Sequence, residues 1–261
     1  MNISLENRTA VICGCTRGIG LAIARELASN GASCILLARN EKSLAKLVDL
    51  LARSADQRHR YYVADFSIPD EVKKAIEMAV SESTVHILVN NTGGPPPGPI
   101  EKSTTEEFKA AFEQHLINNH LLATAVLPGM KKSGYGRIIN IISTSVKIPI
   151  PDLGVSNTVR AATASWAKTL SLEVARFGIT VNNILPGFTW TKRLEDIIDE
   201  KAAAAKVTPG EISRRMELQI PAGRFGEPAE IAAAAAFLAS PSASYINGIS
   251  LPVDGGRTGS I

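Results

Sequence analysis

A chain of 261 residues, 45% apolar and 20% charged, is long enough to bury one sizeable core and has the balance of a soluble globular domain. A net charge of +3 without any Lys/Arg-rich run leaves no footprint for nucleic acid, and apolar runs such as IAAAAAFLA (231–239) are too short for a membrane span of ~20 residues. Three cysteines (Cys13, Cys15 and Cys34) in apolar segments read as buried, reduced thiols of a cytoplasmic protein; Cys13 and Cys15 lack the second ligand pair a metal needs, so no metal site is expected. The opening MNISLENRTAVICG does not have the charged and apolar regions of a secretory signal.

Taken in chain order, short β-branched runs alternate with amphipathic segments of helical length. TAVICG (9–14) predicts a strand and 18–30 a helix; SCILLA (33–38) is strand-like, and 41–54 carries apolar residues at helical spacing. YYVADFS leads as a strand into the helix DEVKKAIEMAV, and VHILVN (85–90) is a fourth strand. The loop NTGGPPPGPI follows, because its prolines lack the amide hydrogens that a helix or ladder uses. One long helix is expected over 105–132, a strand at 136–143, a helix over 156–177 and a strand at 179–187. Residues 188–220, charged, Ala-rich and interrupted by Pro209-Gly210, predict a helical lid, in which Leu194, Ile197, Ile198 and Met216 either form an apolar pocket or dock the lid. A last helix and strand close the chain. Such alternation implies an α/β fold: a single doubly wound parallel sheet with helices on both faces, forming one domain over 1–261.

The stretch CGCTRGIG (13–20) follows the first strand directly and opens a helix. Its Gly14, Gly18 and Gly20 suit a tight turn, a close backbone approach to a pyrophosphate and close helix–strand packing, with the helix N-terminus supplying amide donors. A three-glycine turn on its own also suits any tight βα connection.

Over nearly its whole length the chain resembles the short-chain dehydrogenase/reductase family, and within it the carbonyl and 3-oxoacyl reductase branch. The resemblance is carried by the glycine turn, ADFS (64–67), NNTG (90–93), RIINIIS (137–143), GITVNNILPG (178–187) and the terminal RFGEPAEIA…FLAS…INGISLPVDGG. Cys13 and Thr92 stand where that family has Thr and Ala, small replacements expected to be tolerated. The resemblance implies a nicotinamide cofactor held by Gly14, Thr16, Arg17, Gly18, Ile19 and Gly20. It extends the contact set to Asp65 and Phe66, Asn91 and Gly93, Arg160, Pro186, Gly187, Thr189 and Thr191. Asp65 is expected at the adenine amino group, Asn91 near the adenosine ribose, and Thr191 at the carboxamide or the phosphates. An acid after the second strand favours NAD; here LLARNEK places Arg39 instead, and with Arg17 it offers two guanidinium forks to a 2′-phosphate. The expectation is NADP(H), the alternative being two solvated surface arginines.

In this family a serine orients the carbonyl, a tyrosine moves the proton, a lysine lowers the tyrosine pKa and grips the ribose, and an asparagine holds a water. Matched outward from RIINIIS, the serine is Ser143, but the tyrosine falls on Ser156, the lysine on Arg160 and the asparagine on His115. Arg160 preserves charge and donors; Ser156 cannot replace a phenol, because an alkyl hydroxyl titrates far above ~10. Tyr61, Tyr62, Tyr135 and Tyr245 fall in sheet, surface or terminal segments. His115, with an ordinary imidazole pKa near ~6.5, is either the replacement acid or a histidine flanking a buried helix face. Three functions follow: a reductase with a non-standard donor, a reductase of activated carbonyls or quinones protonated by solvent, or a cofactor-binding protein acting as sensor or partner. The Pro-rich loop 93–99 is a rigid wall of the crevice or a ligand for proline-binding domains. The resemblance also implies a homotetramer, or a homodimer, paired through the helix at 156–177 and the long helix before it.

Overall fold

The computed structural model describes residues 1–54 and 56–259. Its strands are β1 (Thr9–Cys13), β2 (Ser33–Ala38), β3 (Arg60–Val63), β4 (Ile87–Asn90), β5 (Gly136–Ile141), β6 (Ile179–Pro186) and β7 (Ser250–Val253), all parallel in the order β3-β2-β1-β4-β5-β6-β7. The connecting helices are α1 (Gly18–Ser29), α2 (Glu41–Leu50), α3 (Pro69–Glu82), α4 (Thr105–Phe112), α5 (Asn118–Ser133), α6 (Gly154–Val174), α7 (Lys192–Ala205), α8 (Pro209–Glu217) and α9 (Pro228–Ala239). The doubly wound parallel fold is therefore observed. Alternate strand residues divide the core: Ile12, Leu36, Val89 and Ile139 pack with α1, α2 and α9, whereas Val11, Leu37, Leu88 and Ile138 pack with α3, α5 and α6. With both faces covered, the strands read as continuous apolar runs.

Two polar features interrupt this apolar plan. The single helix expected over 105–132 is broken by a π turn at Glu113–Ile117, where the Asn118 N–H donates to the Glu113 carbonyl five residues back. Apolar spacing resumes on either side, so periodicity does not register the extra residue. The second feature is a row of asparagines that crosses the sheet from the end of β4 to the start of β7. Asn90, Asn140, Asn183 and Ser250 are in register on β4, β5, β6 and β7. Asn90 Nδ2 donates to Asn140 Oδ1 at 2.8 Å, Asn140 Nδ2 to Asn183 Oδ1 at 2.9 Å, and Asn183 Nδ2 to Ser250 Oγ at 3.1 Å. The three asparagines are buried, so each amide must find its partner within the protein.

Helices α7 and α8 carry their own small core. Leu194, Ile198 and Met216 are buried together with Ile212, Ile220 and Phe225, so these three dock α7 against α8, whereas Ile197 is half-buried and outside that cluster. All three cysteines are free and buried, and burial pushes each thiol upward, Cys15 to about 12, so none is a thiolate at neutral pH. No helix among the described residues is long and apolar enough to cross a membrane.

Asn140→Leu keeps the side-chain volume but strands Asn90 Nδ2 and Asn183 Oδ1. At about 1–3 kcal/mol per orphaned group, the loss expected in urea denaturation is about 3 kcal/mol. The corresponding fall in Tm is about 6–12 °C; an unchanged Tm would show that the row contributes nothing.

Candidate active site

The crevice opens above β1 and β4, the neighbours at which the strand order reverses. Gly14, with φ +59°, turns the chain after β1, and its N–H donates to the Leu37 carbonyl at 2.9 Å. A side chain on Gly20 would collide with the Gly14 carbonyl and come within 2.6 Å of Asn91 Nδ2. That amide donates to the carbonyls of Cys13 and Gly14, at 3.3 and 3.1 Å, stapling the end of β4 to the glycine turn. Gly18 has φ +54°, and a Cβ there would lie 3.3 Å from the Thr191 methyl. Arg17, the N-cap of α1, forms no side-chain cap, and the first turn holds no acid, so the N-terminal amides and the positive end of the helix dipole are left for an anion. These residues fit the diphosphate of a dinucleotide.

At the adenosine end, Arg17 and Arg39 are exposed, and Arg39 Nη1 lies 4.0 Å from Asp65 Oδ2. Asp65 Oδ1 accepts from the N–H and hydroxyl of Ser67, which, with a smaller contribution from Arg39, hold the carboxyl below its usual range. Phe66 is buried, its carbonyl receiving Asn118 Nδ2 at 2.7 Å. Pro186 ends β6, Gly187 packs against Asp254, and Thr189 is buried with its hydroxyl on the Gly187 carbonyl. Thr191 caps α7. Gly93 is open: a Cβ there would meet nothing within 4 Å.

At the other end, β5, α6 and the π turn bring the altered residues together. Ser143, half-buried, accepts from the Ser145 N–H at 3.1 Å. Ser156 is buried and its Oγ accepts from Arg160 Nε at 3.1 Å, one helical turn away. Arg160 Nη1 donates to the Ile142 carbonyl at 2.8 Å, tying the guanidinium to the chain just before Ser143. Burial first, and then the charge of Arg193, draw Arg160 down to about 10, so it remains a cation at pH 7. Arg193 donates to the carbonyls of Gly94 and Pro95, both at 3.2 Å.

His115 sits in the π turn, buried, with Nδ1 2.6 Å from Thr92 Oγ1. Burial, and the charges of Arg160 and Arg193, push its pKa down to about 3. This corrects the ordinary imidazole pKa expected from sequence: at pH 7 the ring is neutral and holds no imidazolium proton to give. Nε2 is buried and bonded to no group among the described residues. Thr92 proves to be more than a tolerated replacement for alanine, because its hydroxyl is the partner that orients the histidine. The tyrosines are occupied elsewhere: Tyr61 and Tyr62 on the edge strand β3, Tyr135 with its hydroxyl on the Ala239 carbonyl, and Tyr245 fully exposed.

Four residues at or beneath the site are not singled out from the sequence, one without any signal and three with one. Arg193 resembles any other charge on a charged lid, and only the fold brings it to the Pro-rich loop. Asn90, Asn140 and Asn183 leave a signal, an asparagine at the same place in the apolar runs ILVN, RIIN and TVNN.

Comparison with known proteins agrees with this geometry. The family profile described as enoyl-(acyl carrier protein) reductase matches residues 14–258. A 3-oxoacyl-[acyl-carrier-protein] reductase of Vibrio cholerae is 35% identical over 257 residues, covering 97% of this chain and 98% of that protein. Among solved structures, L-sorbose reductase of Gluconobacter frateurii, complexed with NADPH and L-sorbose, superposes with a TM-score of 0.94 at 30% identity over the full length of both chains. YwfH, an NADPH-dependent reductase involved in bacilysin biosynthesis, gives a TM-score of 0.92 at 30% identity, covering 97% of this chain and 99% of that one.

The depressed histidine makes folding pH-dependent. Its folded pKa lies below the unfolded value of ~6.5, so the unfolded chain takes the proton first and stability is lost as pH falls from there toward about 3. Between pH 7 and pH 5, His115→Asn is expected to lose about 2 kcal/mol less than the wild type in urea denaturation. Equal losses would show that the ring is not held neutral by the fold.

Proposed function

The chain belongs to the short-chain dehydrogenase/reductase family, and we propose that it is an NADP(H)-dependent oxidoreductase that reduces an activated carbonyl, 3-oxoacyl-like or a quinone, without a tyrosine acid. NADP(H) is supported by the cradle at Gly14, Gly18 and Gly20, by Arg17 and Arg39 at the adenosine end, and by the bound NADPH of L-sorbose reductase. One observation carries the reading: Ser156 stands in the tyrosine's place with its hydroxyl held by Arg160, and no phenol is at hand.

When bound, NADPH supplies a hydride. The protein's share is orientation and charge. Ser143 offers its hydroxyl at the end of β5 to the substrate oxygen. Arg160, anchored on the Ile142 carbonyl, supplies a fixed positive charge beside it, which favours any negative charge that develops there. Arginine keeps its proton, so it acts as an electrostatic partner rather than as a proton source. His115 contributes as a neutral ring: in the tautomer in which Thr92 donates to Nδ1, the hydrogen rests on Nε2, a buried donor without a protein acceptor among the described residues. Such a donor polarises an oxygen without transferring a proton. Solvent then completes the reaction, which suits substrates whose hydride adduct is already a stabilised anion. Positioned acid catalysis is worth about 10²–10⁴-fold, so simple ketones are expected to be poor substrates.

A cofactor-binding protein without turnover is the competing reading; the donors at His115 and Arg160 favour an enzyme. The same membership supports a homotetramer, or a homodimer, paired through α5 and α6, where Ile117 and Leu172 are exposed. A cytoplasmic location fits the three free thiols.

Three measurements test the proposal. NADPH oxidation over a panel of simple ketones, 1,3-dicarbonyls, enones and quinones is expected to favour the activated members; no oxidation of any of them would leave only the binding role. His115→Phe should lower turnover about 10²-fold with NADPH affinity unaltered, in line with loss of one preorganised donor. At the other end of the cofactor, neutralising Arg17 and Arg39 together as glutamines should weaken NADPH binding about 10–100-fold and leave NADH binding within about threefold. A preserved NADPH preference would remove both arginines from the 2′-phosphate site.

A further inference from the structure

We propose that Arg160 and Arg193 form a clamp for a carboxylate carried by the substrate, so that the natural substrate of this reductase is an oxo or enone acid rather than a neutral carbonyl compound; the inference rests on the reductase reading above. The two guanidinium groups meet across one backbone position. An atom added at Gly94 would lie 3.0 Å from Arg160 Nη2 and 3.3 Å from Arg193 Nη2. Gly94 therefore keeps the space between the two forks free of side chain.

Neither arginine is paired with an acid among the described residues. The ion pairs closest in sequence to Arg193 are those of Lys192 with Glu195 and Asp196, and they do not include it. Arg160 makes three kinds of bond, all to neutral groups: Ser156 Oγ and the carbonyls of Ile141 and Ile142. Its Nη2 is left with donors toward Gly94. Arg193 touches only the carbonyls of Gly94 and Pro95. The third basic side chain nearby, His115, is neutral, in keeping with two cations and no anion around it.

Arg160 is drawn out of water while Arg193 stays exposed, and a cation so placed is costly unless an anion or a full set of hydrogen bonds compensates it. Two guanidinium groups that converge beside Gly94, each with N–H donors to spare, suit an oxyanion with two or more acceptor oxygens, a carboxylate or a phosphate. The phosphates of the cofactor have another seat, at the amides of Gly18, Ile19 and Gly20 and the dipole of α1. The clamp lies at the reacting end, because Arg160 holds Ser156 and the chain next to Ser143. An anion there belongs to the substrate. Arg193 stands second in α7, at the base of the lid, so lid position and substrate charge are joined in one contact. Arg193 is a specificity residue that sequence comparison with the catalytic motif would not single out.

The test uses 2-oxo acids, 4-oxo acids and 4-oxo-2-enoic acids, each paired with its methyl ester. They are titrated calorimetrically into the intact protein with and without saturating NADP⁺, and kcat/KM is measured with NADPH. At least one acid should bind about tenfold or more tightly than its ester. In Arg193→Gln that preference should fall to within about threefold, with NADPH affinity within about twofold of wild type. Arg193→Lys, which keeps the charge but not the fork, should recover part of it. If no acid outbinds its ester, the proposal fails. If Arg193→Gln weakens NADPH as much as it weakens the acids, the pair serves a cofactor phosphate and the proposal also fails. Preferential binding of acids without any NADPH oxidation would uphold the clamp and sink the reductase reading instead. Arg160 is left untouched because its bonds to β5 make it part of the fold.

Discussion

The crevice exists because β1 and β4 lie side by side while the chain that leaves each of them passes to opposite faces of the sheet. Something must hold that junction closed beneath the opening, and Asn91 does so, its amide donating to the carbonyls of Cys13 and Gly14. The staple is possible only where Gly20 has no side chain, since a Cβ would occupy the space of the Gly14 carbonyl and of Asn91 itself. One missing methyl group thus lets helix, turn and neighbouring strand converge. Their convergence aims the open end of α1 at the crevice.

Beneath the reacting end the constraint is different. The asparagine row across β4, β5, β6 and β7 replaces apolar packing with directional bonds between the strands. Apolar contacts tolerate small slips, whereas an amide row has one register, and a slip of one residue would turn every side chain to the other face. Ser143 and Arg160 are both referred to β5, and so inherit that register. Against this rigid floor stands a site richer in positive charge than in acids. A fixed pair of guanidinium groups in a partly dry site acts more strongly than the same charges in water, because no solvent need reorganise around the charge that develops.

His115 shows how context reverses a residue's chemistry. In water an imidazole is half protonated near neutral pH; enclosed in the π turn between Thr92, Arg160 and Arg193, it stays neutral. His115 and Thr92 act as one unit, because each side chain is the other's hydrogen-bond partner.

Local chemistry decided what the sequence could show by itself: the alternation of strands and helices, the glycine turn, an arginine rather than an acid after β2, and Ser156 and Arg160 one turn apart on a single helix. Each depends on neighbours a few residues apart, through periodicity, backbone freedom or spacing within one helix. The π turn was hidden because helical spacing continues on both sides of it. The docking of Leu194, Ile198 and Met216 into the lid was left open because a pocket and a helix interface present the same apolar spacing. Tertiary structure alone decided the neutrality of His115 and the meeting of Arg160 with Arg193, thirty-three positions apart. Both follow from burial and from charge acting through space, quantities that exist only once distant segments have been brought together.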